Sequence, residues 1–236
     1  IYAEKASNGV GLNAFEHFSV GNNQIANMYF QKEGSTEVLY TLVNTVNDRI
    51  SIYGTVNAIR NNKVGGNLYF LSSNGMVVGS SGVINAGALT VITSGNTFAS
   101  AETAAQAITD NSWSLDSTAS IDIHGRINTA TGIDLRAAYI NVTKANGSDT
   151  APVLKTGVMF DTTVNTEGLV TDVSVKNERL TASLDSKGNI IIADPSNPTG
   201  TQGDAAVKGD GSIKLAAYSD SKNAKTEFLG ISSITN

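Results

Sequence analysis

Very few side chains in this 236-residue sequence are of the types that commonly carry chemistry. The two histidines, His17 and His124, lie far apart, and neither has a second metal-ligand residue within the next few positions in a recognisable pattern. There is no cysteine, which removes a disulfide framework, a thiolate metal site and a cysteine nucleophile. Asp204 and Asp210 lie in a glycine-rich stretch without a calcium-loop pattern. The sequence therefore predicts no metal site and no cofactor.

Four charged residues are the candidates for a carbohydrate-cleaving site: Asp122, Arg126, Asp134 and Arg136. Hydrolases and lyases built from stacked parallel strands need paired carboxylates, or a base with a cation, on one outer face. Here the charged residues alternate with aliphatic ones, namely Ile121, Ile123, Ile133 and Leu135. That alternation is typical of any strand with one solvated face, so we expect surface residues and no catalytic residue.

Composition excludes several classes of partner. The chain has 16 Lys and Arg against 21 Asp and Glu, a net charge of -5, which disfavours nucleic acid as a partner. No window approaches the ~18 apolar residues of a membrane span. The sequence begins with Ile1 rather than Met, and we expect an export signal to have been removed already. We expect one domain over residues 1–236, the front part of a longer exported protein.

The elements that must position any site are short strands. Between Gly65 and Thr93, apolar pairs and triplets are interrupted by Gly, Ser and Asn every few residues, with no helical rhythm. Strands of this length need neighbours to bond to, and stacking successive turns of the chain supplies them. The pattern predicts an all-β fold, specifically a parallel β-helix.

A short motif recurs along the chain and predicts how the turns stack. It occurs as Gly54–Asn57, Gly82–Asn85 and Gly125–Asn128, and with the Gly replaced as Thr162–Asn165. The Gly suits a corner where φ becomes positive or where a neighbouring backbone passes closely. The Asn side chains, at Asn57, Asn85 and Asn128, are expected to form a packing ladder rather than a ligand site. A repeat of ~20 to 25 residues predicts ~10 turns and a rod ~45 to 50 Å long.

Two segments are expected to lie outside the stacked turns. Residues 100–109 are rich in Ala and have Ser100 as a potential N-cap, which predicts a short helical insertion. Residues 194–211 are rich in Pro, Gly and Asp and predict a long loop.

Three segments resemble the amino-terminal secretion domain of two-partner secretion exoproteins, the family of filamentous haemagglutinin-like adhesins and related haemolysins. Residues 9–20 match its opening N-x-F-x-x-F-x-V pattern at Asn13, Phe15, Phe18 and Val20. Residues 44–55 are similar to its second block, and residues 71–89 to its third. The family usually has Asn-Pro-Asn-Gly in the third block, whereas this chain has Ser72-Ser73-Asn74-Gly75. The departure indicates a distant branch.

The resemblance implies a right-handed parallel β-helix with an amino-terminal cap over residues 1–30. It implies export through the periplasm and outer membrane by a dedicated TpsB-type β-barrel transporter with POTRA domains, to the medium or the bacterial cell surface. The residues expected to serve transporter recognition or the cap are Asn13, Phe15, Phe18, Val20, Asn44, Asn74 and Gly75. In the folded state, two Phe three residues apart would also cover an open hydrophobic end, and Asn74-Gly75 would also form a tight turn.

The predicted function is therefore that of a secretion-signal and folding-nucleation domain, not an enzyme. It would belong to a large bacterial exoprotein, an adhesin of the kind involved in cell adhesion, biofilm and virulence, and be monomeric. The downstream portion would meet host glycan, matrix polysaccharide or a cell surface. Two alternatives stay open: a carbohydrate-active β-helix enzyme, or a domain that itself binds glycan or matrix polymer.

Overall fold

The structure is a computed structural model that describes residues 1–116, 118–179, 182–184, 190–192, 213–217, 225–229 and 233–235. The described residues form 22 strands and one helix, and most of the strand pairs are parallel. The prediction of an all-β fold is confirmed at this level. The predicted loop at 194–211, with Asp204 and Asp210, lies outside the described residues.

The strands are numbered in chain order. They are β1 (Lys5–Ser7), β2 (Val10–Phe15), β3 (Ser19–Val20), β4 (Ile25–Tyr29), β5 (Thr41–Val46), β6 (Ile50–Ile52), β7 (Thr55–Arg60), β8 (Lys63–Val64), β9 (Asn67–Leu71), β10 (Met76–Val78) and β11 (Val83–Ile92). After helix α1 (Ala101–Asp110) come β12 (Ser120–Ile123), β13 (Arg126–Ala137), β14 (Tyr139–Thr143), β15 (Val153–Lys155), β16 (Val158–Val164), β17 (Val170–Arg179), β18 (Ala182–Leu184), β19 (Ile190–Ile192), β20 (Ile213–Ala217), β21 (Lys225–Leu229) and β22 (Ser233–Thr235).

Parallel pairing sorts most strands into three stacks. The first stack is β2, β5, β9, the second half of β11, the second half of β13, and β20. The second is β4, β7, the first half of β11, the first half of β13, β15 and β22. The third is β3, β6, β10, β12, β14 and β21. In each round the chain visits the first stack, then the third, then the second, and one visit to all three is called a pass.

The core lies between the three stacks because alternate residues of each strand point inward. In the third stack, Ile52, Val78 and Ile123 are in register and each is fully buried. Aligned positions of the other two stacks contribute to the same cluster, with Leu42, Leu68, Leu89 and Ile133 from the first and Val56, Ile84 and Ile127 from the second. One continuous apolar core therefore runs through successive passes.

The described strands make six passes, fewer than the ~10 expected from a repeat of ~20 to 25 residues. The difference arises because several segments leave the stacks. The segment 162–165, expected to be a fourth copy of the recurring motif, lies mainly in β16, which pairs antiparallel with β17. This assignment was wrong, because strand alternation does not tell a stacked strand from a hairpin strand.

The amino-terminal edge of the stacks is covered by the chain itself. Strand β1 pairs antiparallel with β2, the first strand of the first stack. Residues 1–3 lie along the end of β4, where Tyr29 N donates to Ile1 O at 2.7 Å and Ala3 N donates to Gln31 O at 2.9 Å. Unpaired strand edges are sites of unwanted association, so this covering closes an otherwise open end. Residues 1–30 thus contain the first pass and its cover.

Helix α1 connects β11 to β12 and begins at the N-cap Ser100, whose side chain accepts from Thr103 N. Asn111 ends it in the left-handed conformation, with φ at 49°. Its position matches the segment expected to be helical. Its buried alanines face the outer side of the first stack. No helix among the described residues has both the length and the apolar character that a membrane crossing requires.

The glycines of the recurring motif are required by close approach rather than by a special φ. Gly54, Gly82 and Gly125 have no positive φ. A Cβ at Gly82 would lie 2.3 Å from Ile52 O, and one at Gly125 would lie 2.3 Å from Gly79 O. Of the two reasons considered for these glycines, the structure shows the second: the backbone of the preceding pass lies too close to leave room for a side chain.

Candidate functional site

Three aromatic side chains close the first passes of the core. Phe15 and Phe18 are tilted with ring centroids 5.3 Å apart, and Phe18 meets Phe70 at 5.1 Å. Phe18 is buried, Phe15 is half-buried at the edge of the cluster, and Val20 is buried in the same core. Tilted aromatic pairs of this kind contribute about 0.5–1.5 kcal/mol beyond the area that they bury. The three apolar residues of the opening motif, Phe15, Phe18 and Val20, therefore lie in the core of the first passes or at its edge.

Asn13 and Asn44 form a buried polar pair beside this aromatic cluster. They are partners in the β2–β5 register, and Asn13 Nδ2 donates to Asn44 Oδ1 at 2.9 Å. Asn13 Oδ1 accepts from Glu4 N at 2.8 Å, and Asn44 Nδ2 donates to Tyr69 O at 3.0 Å. Buried amides cost free energy unless they are hydrogen-bonded, and these bonds satisfy them across three passes.

The Asn74-Gly75 turn lies at the corner between the first and third stacks. Gly75 has φ at 80°, and a Cβ there would lie 2.0 Å from Ser120 O in the next pass. Gly75 N donates to Ser72 O at 3.2 Å, and Ser72 Oγ accepts from Asn74 N. Asn74 Nδ2 reaches the preceding pass and donates to Asn47 O at 2.7 Å. The turn is therefore hydrogen-bonded to the preceding pass and lies close against the backbone of the next one.

The same corner presents polar side chains to solvent. Glu16, His17, Asn47 and Asp48 are all exposed. Asn47 Nδ2 donates to Glu16 Oε2 at 2.8 Å, and His17 Nδ1 lies 3.0 Å from Asp48 Oδ2. The hydrogen bond from Arg49 N, with the smaller effect of His17, lowers the pKa of Asp48. This exposed corner, with Asn74, is the part of the site that a partner protein can reach in the folded state.

The recurring asparagines hydrogen-bond to one another in the second stack. Asn57 donates to Asn27, Asn85 to Asn57 and Asn128 to Asn85, through Nδ2 to Oδ1 at 3.0, 2.9 and 3.0 Å. Asn57, Asn85 and Asn128 are buried, and every bond has the same direction. The series was predicted from the motif as far as Asn57. Asn27 was missed because no Gly precedes Ile25-Ala26-Asn27. In the structure, Asn27 is the third residue of β4, as Asn57 is the third residue of β7.

The four charged residues considered for catalysis do not come together. Asp134 and Arg136 pair with each other at 2.7 Å on the first stack. Asp122 lies on the third stack, where it pairs with Arg49 and accepts from Asn141 Nδ2 at 2.6 Å. Arg126 is exposed on the second stack. In the part of the chain that the structure describes, no three His, Asp or Glu side chains are grouped as a metal ion would need.

The residues assigned from sequence to cap or recognition thus fall into two neighbouring groups. Asn13, Phe15, Phe18, Val20 and Asn44 are in contact or in adjacent strands of the first two passes. Asn74 and Gly75 join this group through Asn47, whose N donates to Phe15 O at 3.0 Å. Phe70 completes the aromatic cluster and was missed, because a single Phe in an apolar strand has no distinguishing pattern.

Fold and site together define an all-β protein of stacked parallel strands, with an aromatic cluster and a buried asparagine pair in its first three passes. Comparison with protein-family models, with curated proteins and with solved structures finds no match.

Proposed function

We propose that this chain is the secretion-signal and folding-nucleation domain of a large bacterial surface exoprotein of the two-partner secretion type, an adhesin by resemblance. Its partner would be an outer-membrane β-barrel transporter with POTRA domains, and its destination the medium or the cell surface. The fold proposed with it is a right-handed parallel β-helix with an amino-terminal cap. Right-handedness is favoured because parallel strands of one sheet joined by a crossover almost always connect that way.

One observation carries the proposal: the three segments that resemble the family occupy the first three passes and bind one another. Residues 9–20 contribute β2 and β3, residues 44–55 contribute β6, and residues 71–89 contribute β10. Asn13 of the first segment is hydrogen-bonded to Asn44 of the second, and Asn74 of the third segment is hydrogen-bonded to Asn47 of the second. Segments that are separated in sequence thus form one unit, as a signal that also starts folding would require.

A stacked fold suits export without a chemical fuel. Each emerging pass buries apolar surface on the one before it, which opposes backsliding of the chain. The carbohydrate-active alternative loses support, since Asp122 and Asp134 lie on different stacks with separate arginine partners. Among the residues that the structure describes, no specific contact favours glycan binding by the chain itself.

The test is secretion in a Gram-negative host with and without the proposed β-barrel partner, which this proposal expects to be encoded beside the chain's gene. For the assay, an inner-membrane export signal is fused to the amino terminus of the chain, and immunoblots of medium and periplasm measure the distribution of the protein. We expect appearance in the medium only with the barrel. Equal release without it, or undiminished release after deletion of residues 9–20, would overturn the proposal.

A second arm separates recognition from folding. Asn74→Ala removes an exposed side chain in an Asn-Gly turn of the third segment, and Asn146→Ala removes an exposed side chain in an Asn-Gly turn outside all three segments. If Asn74 is part of the signal, its variant is secreted at least about tenfold less than the Asn146 variant. Thermal unfolding of the two purified proteins identifies any loss that comes from stability alone.

A further inference from the structure

Two segments that come late in the chain return to the first pass. Residues 99–110, which contain α1, lie against β1 and β2, and the hairpin β16–β17 reaches β4 at its tip. The hydrogen bonds that make these contacts join residues 94 and 143 positions apart. The first segment is called the helix strap and the second the hairpin strap.

The helix strap covers an apolar layer on the outer side of the first stack. Ala101 and Ala104 are buried there against Val10, Leu12 and Val43. Trp113, just after the helix, stacks on Tyr69 of the same layer with ring centroids 6.2 Å apart. Without the strap, this outer apolar layer of the first three passes would face water, which is unfavourable in proportion to the apolar area exposed.

Polar contacts tie the same strap to the amino-terminal strand β1. Lys5 Nζ donates to Ala99 O at 3.2 Å. A hydrogen bond with the Ser7 side chain lowers the pKa of Glu102, with a further contribution from Ser100. The strand that covers the open edge of β2 is therefore held from outside by residues of a later pass.

The hydrogen bonds between the hairpin strap and β4 are made by Val170 at the tip of the hairpin. Val170 O accepts from Asn27 Nδ2 at 2.9 Å, and Val170 N donates to Tyr29 Oη at 3.3 Å. The Val170 side chain packs in a separate apolar cluster with Ile59 and Val64. Asn27 is also the first member of the asparagine ladder, so the hairpin satisfies its terminal amide.

We propose that these two straps lock the amino-terminal pass, which reaches its native protection only when both are docked. A terminal pass has a stacked neighbour on one side only, so its stability depends more on such added contacts than that of an internal pass. If the proposed export function holds, the opening motif stays accessible to the transporter until the strap residues have emerged. The locking itself is independent of that function and is tested on the purified chain.

Amide hydrogen exchange of the full chain tests the helix strap. Ala104→Asp places a carboxylate in the buried layer, whereas Gln106→Asp places it on the exposed side of the same helix. We expect Ala104→Asp to speed exchange in residues 5–15 by about tenfold or more, with residues 139–143 of the fifth pass unchanged. Exchange in residues 5–15 equal to that of the control, or an equal increase in both segments, would contradict locking.

The hairpin strap has its own matched pair. Val170→Asp alters a buried side chain of the strap, and Thr171→Asp alters its exposed neighbour. The first is expected to speed exchange in residues 25–30 and leave residues 120–123 unchanged. Unaltered protection of residues 25–30 would remove this strap from the proposal.

The unmodified chain provides a measurement that does not depend on any variant folding. During refolding from urea, pulse labelling should show residues 5–15 gaining protection together with residues 101–110 and not before them. Full protection of residues 5–15 while residues 101–110 still exchange freely would overturn the proposal. None of these results depends on the transporter, so they are distinguishable from failure of the secretion assay.

Discussion

The side-chain amide of Asn85 donates to the side-chain oxygen of Asn57 at 2.9 Å, and both side chains are buried. Because Asn128 donates to Asn85 in the same way, the middle residue uses its donor and its acceptor within the ladder. A ladder in which each amide serves two neighbours joins separate passes by side chains in addition to the backbone.

Asn85→Ala should therefore destabilise the protein by about 2–4 kcal/mol, since it leaves a buried acceptor on Asn57 and a buried donor on Asn128 without partners. Urea denaturation followed by circular dichroism measures the change in the free energy of unfolding. Asn67→Ala is the control, because Asn67 is only partly buried and makes a single long bond of 3.4 Å to Thr41 Oγ1. Equal losses in the two variants would argue against the importance of the ladder.

Gly125→Ala should be more damaging than its small size suggests. The new Cβ would lie 2.3 Å from the carbonyl oxygens of Gly79 and Gly82, so two passes would have to separate. We expect a loss of about 3 kcal/mol or more, or failure to fold. Gly95→Ala has open space within 4 Å and no positive φ, and should be neutral or stabilising by a few tenths of a kcal/mol. The two midpoints of thermal unfolding provide the comparison.

Phe18→Ala should cost about 3–5 kcal/mol, because it removes a buried ring that contacts both Phe15 and Phe70. Phe18→Leu keeps most of the apolar volume and should cost under about 1.5 kcal/mol. Chemical denaturation measures both. If Phe18→Leu is stable yet poorly secreted through the barrel, Phe18 acts in recognition as well as in packing; normal secretion would leave it a packing residue.

Acid should weaken the fold partly through Asp116. Hydrogen bonds from the Thr118 hydroxyl and from the Thr118 and Ala119 backbone lower the pKa of this carboxyl below its ordinary value of 3.8. A carboxyl with a lowered pKa in the folded state adds stability above its unfolded pKa, and this contribution is lost as pH falls through the folded pKa. Asp116→Asn should thus be less stable than the unaltered chain near pH 6, with the difference shrinking below about pH 3.

Thermal unfolding recorded between about pH 6 and about pH 2 checks the Asp116 prediction. Asp149→Asn, which alters an exposed carboxylate in the loop after β14, is the control and should follow the unaltered chain. A constant difference between Asp116→Asn and the unaltered chain at every pH would contradict the role assigned to this carboxyl.

The motif Gly-x-aliphatic-Asn indicated three glycines and three asparagines that stack on one another. Its limit was local similarity: residues 162–165 resemble the motif and yet lie in an antiparallel hairpin. Phe70 and Asn27 were not found, because their importance comes from partners distant in sequence rather than from their own neighbours. The ion pair Arg49–Asp122 could not be assigned either, since strand alternation does not tell which strands lie beside one another.

By itself, the sequence determined that short strands with one buried side would predominate and that glycine and asparagine would recur at their ends. The alternation of buried and exposed side chains along a strand, and the use of glycine where another backbone passes closely, are local properties. They can be recognised from a residue and its neighbours in sequence. Only the tertiary structure decided which strands align, that the described strands make six passes, and that α1 and the β16–β17 hairpin return to the first pass. Those outcomes depend on contacts between residues far apart in the chain, and loops of unequal length allow several registers until side-chain packing selects one.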